Sequence, residues 1–225
     1  MKRFLILSLL IPNLLTAQEH IAQFVVWKLK PGAGSSFTWG YKKHLDWHRA
    51  NNDTWSWYAW FFVSGPRVDQ FIDATIDHPW SDFDHSVKPA EDGPDVDGHV
   101  EPFGDVQTIE KLSGIASLTT ADRADWQSKY LRWITIDVTN AAEAIKLLGQ
   151  WERAHPDGKR SVLETVDGGK LKQLHLLLFY PDMTSYGTGM ETIHELETLE
   201  NGRDPVFGAM TSETLVYQPG MSWVH

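Results

Sequence analysis

The sequence predicts an α+β fold: two tandem strand–helix–strand–strand–helix–strand units packed as an α+β barrel, behind an N-terminal leader. Three observations carry that expectation. Alternating apolar residues mark strands, and stripes near 3.6-residue spacing mark the helices between them. The same order of elements occurs twice. Laid with a constant offset of 103, the halves match without a gap from Lys43/Lys146 to Phe83/Tyr186, with identities at Leu45/Leu148, Val63/Val166, Gly65/Gly168 and Gln70/Gln173.

The leader comes first. Lys2 and Arg3 precede an apolar stretch from Phe4 to Leu15 broken only by Ser8, Pro12 and Asn13, and Ala17 stands before Gln18. That is the layout of a secretory signal peptide over 1–17, too short to span a bilayer as a helix. The expected mature chain is exported, periplasmic or secreted, and soluble. The sequence has 0 Cys, which closes lipid attachment, disulfides and thiol catalysis alike. Stability must therefore come from a core, which a chain of 225 residues can bury. The formal charge of −10 argues against nucleic acid, because phosphate backbones demand a basic surface. No later apolar run is long enough to span a membrane. The partner that remains is a small-molecule ligand, and the oligomeric state is left open.

The first unit, 18–118, opens with a strand over 21–30, broken by Pro31-Gly32, and a helix over 35–52 whose Phe37, Tyr41, Leu45 and His48 or Arg49 form one stripe. Trp55 to Val63 reads as the second strand and 69–77 as the third, with a turn at Ser64-Gly65-Pro66 between them. Pro79 opens a short helical piece. The segment 88–102, rich in Asp, Pro and Gly, reads as a long surface loop, 103–114 as a helix, and 115–118 as the place for the fourth strand. The second unit, 128–225, holds a strand over 130–138 and a helix over 140–155 with Asn140 as its N-cap. Strands over 160–166 and 172–180, a helix over 185–201 and a closing strand over 208–218 complete it. Each unit follows the ferredoxin-like plan.

The opening "VVWKLKPGAGSSFTWGYKKH" resembles domains of the dimeric α+β-barrel superfamily, in which a strand passes through a Pro-Gly turn into a long helix. The tandem arrangement is similar to members with two such domains in one chain, as in stress-responsive barrel and NIPSNAP-like proteins. The resemblance covers roughly 20–87 and 129–218 and implies a fold. The superfamily includes haem-binding and haem-degrading enzymes, small monooxygenases and proteins without known activity, so membership implies no single chemistry.

Two groups of residues stand out as candidates for a site. Trp55, Trp57, Tyr58, Trp60, Phe61 and Phe62 crowd one strand, with Trp57, Ala59 and Phe61 on one face and Tyr58, Trp60 and Phe62 on the other. Both faces are apolar, as a sheet covered on both sides requires, yet Trp57, Tyr58 and Trp60 carry polar tips that a ligand could use. His44 and His48, at i and i+4 on one helix face, are within reach of one metal or haem iron. "HLDWH" lacks the Glu that zinc peptidases use as a base, and no third ligand is placed, although His78, Asp84 and His85 follow. Asp92, Asp95, Asp97 and Glu101 read as solvated loop charge. The candidate ligand-binding set is Trp57, Tyr58, Trp60, His44, His48 and His85; catalytic residues, metal and cofactor are left open.

Three functions fit this reading. The first is an exported protein of unknown activity that binds a small apolar or aromatic ligand in a barrel cleft. The second is a haem- or metal-dependent monooxygenase-like enzyme, and the third a non-catalytic structural or interaction protein. A pocket lined by aromatics alone favours the first, a pocket lined by both Trp and His the second, and a filled barrel the third.

Overall fold

The computed structural model describes residues 20–200 and 204–225; the leader expected over 1–17 lies outside the described residues. The first half runs β1 (Ile21–Leu29), α1 (Gly34–Ala50), β2 (Tyr58–Phe62), β3 (Gln70–His78), α2 (Pro89–His99) and β4 (Gly104–Gly114). The second runs β5 (Tyr130–Val138), α3 (Ala141–Ala154), β6 (Arg160–Asp167), β7 (Gln173–Tyr180), α4 (Met183–Thr188), α5 (Thr192–Leu199) and β8 (Phe207–Tyr217). The eight strands close into a barrel in the order β1-β3-β2-β8-β5-β7-β6-β4, every pairing antiparallel. Each half contributes four adjacent strands in the ferredoxin-like order, β4-β1-β3-β2 and β8-β5-β7-β6. Among the described residues, no helix is long and apolar enough to cross a membrane.

Side-chain alternation divides the core into layers. Tyr58, Trp60 and Phe62 point into the barrel with Phe24, Ile72, Trp133 and Leu177. Ala59 and Phe61 point outward, where Phe37, Tyr41 and Leu45 of α1 cover them. The second half has its own outer layer, in which Leu147, Leu148 and Trp151 of α3 pack on Ile134, Leu176 and Leu196. The Asn140 side chain caps α3 by accepting from the Glu143 amide. Gly168 turns the β6–β7 hairpin at φ +78°, and a Cβ there would stand 2.0 Å from the Ile109 carbonyl oxygen.

The two barrel ends differ. At the β2–β3 hairpin end, the Arg67 guanidinium lies 4.2 Å from the Phe62 ring and 5.1 Å from that of Trp133, and Arg67 Nε donates to Glu213 at 2.8 Å. The opposite end is crossed by the connector between the halves. There the Thr120 and Ala121 amides bond to the Arg160 carbonyl, and Trp126 enters the interior beside Phe24, Tyr58 and Trp60.

Several expectations are corrected. The 88–102 loop contains α2, an α-helix with Pro89 in its first turn and Glu91 and Asp92 near its positive end. The expected helix over 103–114 is strand β4. Its Val106–Ile109–Leu112 spacing of three imitates a helix because the pairing register shifts between Val26 and Trp27 of β1, leaving Gln107 as an extra residue. The fourth strand is therefore β4, and 116–118 is a single 3-10 turn. The expected helix over 185–201 is broken into α4 and α5 at Gly189, where a Cβ would lie 1.9 Å from the Tyr180 hydroxyl. The strand expected from Trp55 begins at Tyr58, and Trp57 is joined only by an isolated bridge to Trp223.

Candidate metal centre

His44 and His48 project from one face of α1 because four residues carry a helix just past a full turn. Asp92 comes from α2, which lies along α1. The close approach of the two helices depends on Gly40, where a Cβ would fall 1.8 Å from the His99 carbonyl oxygen. His44 Nε2 lies 3.1 Å from His48 Nε2, and Asp92 Oδ1 stands 3.5 Å from the first and 3.7 Å from the second. A triangle with those edges has its corners about 2.0 Å from its centre, close to the roughly 2.0–2.2 Å of zinc–nitrogen and zinc–carboxylate bonds.

The far side of each ring is tied to a carboxylate. His44 Nδ1 is 2.8 Å from Asp95 Oδ2, and His48 Nδ1 is 2.9 Å from Asp53 Oδ2. A carboxylate accepts only, so the Asp95 bond puts the hydrogen of His44 on Nδ1 and turns its Nε2 lone pair toward His48, whose own Nδ1 faces Asp53 without a hydrogen bond of good geometry. Such a carboxylate behind the ring is the usual support of a metal-ligating histidine. Asp53 also accepts from the Trp55 amide at 3.0 Å and the Trp57 indole at 2.9 Å.

Burial lowers the His44 pKa, against the opposing Asp95 hydrogen bond, which favours the neutral, ligating ring. Burial raises the Asp92 pKa despite the two histidines, and its Oδ1 is a buried oxygen with no hydrogen-bond partner. Burial would also raise Asp53, but the bonds from His48, Trp55 and Trp57 outweigh it and hold that carboxyl below its ordinary value. The His44 lone pair and the unpartnered Asp92 oxygen face one point beside His48 Nε2, and a cation there would satisfy all three atoms.

The centre opens onto a pocket of about 270 Å³ between α1, α2 and the outer face of β1 and β4. Trp55, Trp57 and Phe83 form its apolar walls, and Gln23 and Lys111 its polar ones. Lys111 Nζ lies 5.3 Å from the Phe83 ring and 3.5 Å from Asp167 Oδ2. The same helix position in the second half is filled. The offset that aligns the halves puts Leu147 opposite His44 and Trp151 opposite His48, both buried in an apolar layer. A packed helix therefore does not require the two histidines.

Of the residues singled out in the sequence, His44, His48 and Trp57 come together here. Tyr58 and Trp60 lie on the other face of the sheet, inside the barrel. His85 is exposed after the 3-10 turn Trp80–Asp84, with Nδ1 2.8 Å from the Ser81 carbonyl oxygen. Asp92 and Asp95, read as loop charge, supply the third donor and a ring support. Their spacing of three after Pro89 is the helical signal that could have placed them opposite His44 and His48.

No protein-family model matches the chain, and comparison with curated proteins returns no match. Its fold is similar to solved structures. A candidate monooxygenase from Lactobacillus acidophilus aligns at TM-score 0.60 and 14% identity, over 92% of this chain and 96% of that one. One from Fusobacterium nucleatum aligns at 0.61 and 11%, over 89% and 93%. A mutant chlorite dismutase from Candidatus Nitrospira defluvii aligns at 0.53 and 8%, over 89% and 92%. Identities this low show a shared α+β, ferredoxin-like fold and nothing finer.

Proposed function

We propose that this chain is an exported, metal-dependent, monooxygenase-like enzyme that takes a small aromatic or apolar molecule against a divalent ion held by His44, His48 and Asp92. The observation that carries the reading is the convergence of three lone-pair donors on one point, beside a pocket lined by both Trp and His. Two imidazoles and one carboxylate leave coordination positions open, the donor set of mononuclear non-haem iron oxygenases and, with zinc, of hydrolytic sites. Fold similarity to candidate monooxygenases supports the first class as analogy only. The Lys2–Ala17 leader supports export.

The ion would supply Lewis acidity at the pocket wall, and electron transfer where the metal is redox-active. The chain's own residues do the rest. Asp53 and Asp95 hold the two rings in register, Trp55, Trp57 and Phe83 stack on a planar ligand and keep water out, and Lys111 faces its polar edge. Haem does not fit this centre. The Nε2 atoms of His44 and His48 face each other at 3.1 Å, which suits one small ion and leaves no face for a porphyrin.

Metal-free protein titrated with cobalt(II) provides the test. One equivalent per chain should give visible absorption bands that shift when catechol, a small aromatic probe, is added, and Asp92→Ala should remove them. Added haemin should give no Soret band dependent on His44 or His48. Failure to bind one equivalent of cobalt, or bands unchanged in Asp92→Ala, would overturn the proposal.

A further inference from the structure

We propose a second ligand site at the connector end of the barrel, shaped for a small aromatic or conjugated molecule that carries one acidic group. A cavity of about 360 Å³ lies there between the barrel mouth and the connector, within the roughly 300–1,000 Å³ of small-molecule sites. It shares no lining residue with the pocket of the metal centre. The space exists because small residues stand at the mouth. β1 presents Ala22 there but Phe24 and Val26 deeper in, and Gly114, Ala116 and Ala121 complete the gap. Trp126, Ile76 and Leu163 supply apolar contact for a flat ring.

Polar groups at the mouth are unequally matched. The Tyr58 side chain is wholly buried, yet its hydroxyl has no hydrogen-bond partner. It lines a smaller pocket of about 170 Å³ that shares Ile76, Asp77 and Arg123 with the cavity. A buried donor left unpaired is costly, and an acceptor atom on a ligand would relieve that cost. Burial pushes the Tyr58 pKa up to about 12, with Arg123 the charge pulling the other way, so the hydroxyl keeps its proton to donate.

The carboxylates at the rim are already engaged. Asp77 pairs with His20, Asp122 Oδ1 accepts from the Ala124 and Asp125 amides, and Asp82 lies 3.0 Å from His78 Nδ1. Arg123 is exposed and forms no ion pair among the described residues, so its guanidinium is a free cation at a rim that also carries Asp77, Asp82 and Asp122. A carboxylate or sulfonate on an aromatic body answers both features: ring on Trp126, acceptor at Tyr58, anion at Arg123.

Fluorescence titration of the folded protein compares anilinonaphthalene sulfonate with the uncharged phenylnaphthylamine. Both should bind one saturable site with energy transfer from tryptophan. Arg123→Gln should weaken the sulfonate roughly fivefold, the scale of a partly exposed ion pair, and leave the neutral probe unchanged. Ala121→Trp, which fills the cavity, should abolish both. Asp92→Ala should alter neither, which separates this site from the metal centre. Absence of saturable binding, binding that survives Ala121→Trp, or a sulfonate affinity indifferent to Arg123→Gln would each overturn the proposal. Should Ala121→Trp fail to fold, Arg123→Gln changes an exposed, unpaired side chain and still decides it.

Discussion

Zinc added to the His44–His48–Asp92 centre should stabilise the fold by an amount that can be worked out. The donors sit on two helices, with His48 and Asp92 more than forty positions apart in the chain, so the site exists only in the folded state and ligation acts by mass action. At free zinc one hundred times Kd the gain is about 2.7 kcal/mol. For a chain of this size each kcal/mol raises Tm by roughly 2–4 °C, so the expected shift is about 5–11 °C. Asp92→Asn removes the charged donor, and the shift at that zinc concentration should vanish. Asp53→Asn and Asp95→Asn keep every donor but loosen a ring, which typically costs about 10–100-fold in affinity. Their titration midpoints should therefore move one to two decades while the plateau is recovered at higher zinc. His85→Ala should behave as the parent. Scanning calorimetry in metal buffers measures the series. Equal zinc shifts in the parent, Asp92→Asn and His48→Ala would refute the reasoning, as would ring-support variants that bind like the parent.

Three further outcomes follow from the packing. Gly40→Ala adds a helix-favouring residue, worth at most about 1 kcal/mol, but puts a Cβ 1.8 Å from the His99 carbonyl oxygen. It should displace α2, carrying Asp92 with it, and calorimetric zinc affinity should fall while circular dichroism holds; unchanged affinity would show that the helices tolerate separation. Asp73 is fully buried, and burial lifts its pKa to about 7 against the 2.8 Å bond from Trp27 Nε1. The native state then keeps a proton that the unfolded chain releases above pH 3.8, so stability should fall as pH rises from about 4 to 7 and level off above. Asp73→Asn should remove that slope and be more stable at pH 8 by at most about 4 kcal/mol in urea unfolding, whereas parallel pH profiles would contradict the assignment. Trp60→Ala empties a wholly buried interior position and should cost about 3–5 kcal/mol by the same method; a loss under about 1 kcal/mol would mean the interior is not packed.

Much of the fold is legible because local pattern and burial agree. The alternation of β1, β3, β5 and β7 and the stripes of α1 and α3 say which face is covered, and the Gly32, Gly65 and Gly168 turns, all at positive φ, say where chain direction changes. The two faces of the aromatic strand divide as its alternation implies. Elements whose stability comes from elsewhere are not legible in local pattern. α2 contains Gly93, Pro94 and Gly98, poor helix formers all, and is a helix because Val96 and Val100 pack with the α1 layer and Asp95 pairs with His44. β4 is a strand whose extra residue scrambles its period, held by two neighbours whatever its own propensity.

The candidate site shows the same division. The amino-acid sequence by itself determined that two histidines share one helix face, that aromatics gather on one strand and that two similar halves follow one another. Only the tertiary structure decided that Asp92 closes the triangle, that Asp53 and Asp95 stand behind the rings, and that Trp57 and Trp60, three residues apart, serve different chambers. The reason is physical. Periodicity specifies which side of an element faces the core, but a site is made where sides of different elements meet, and those distances are set by packing across the whole barrel.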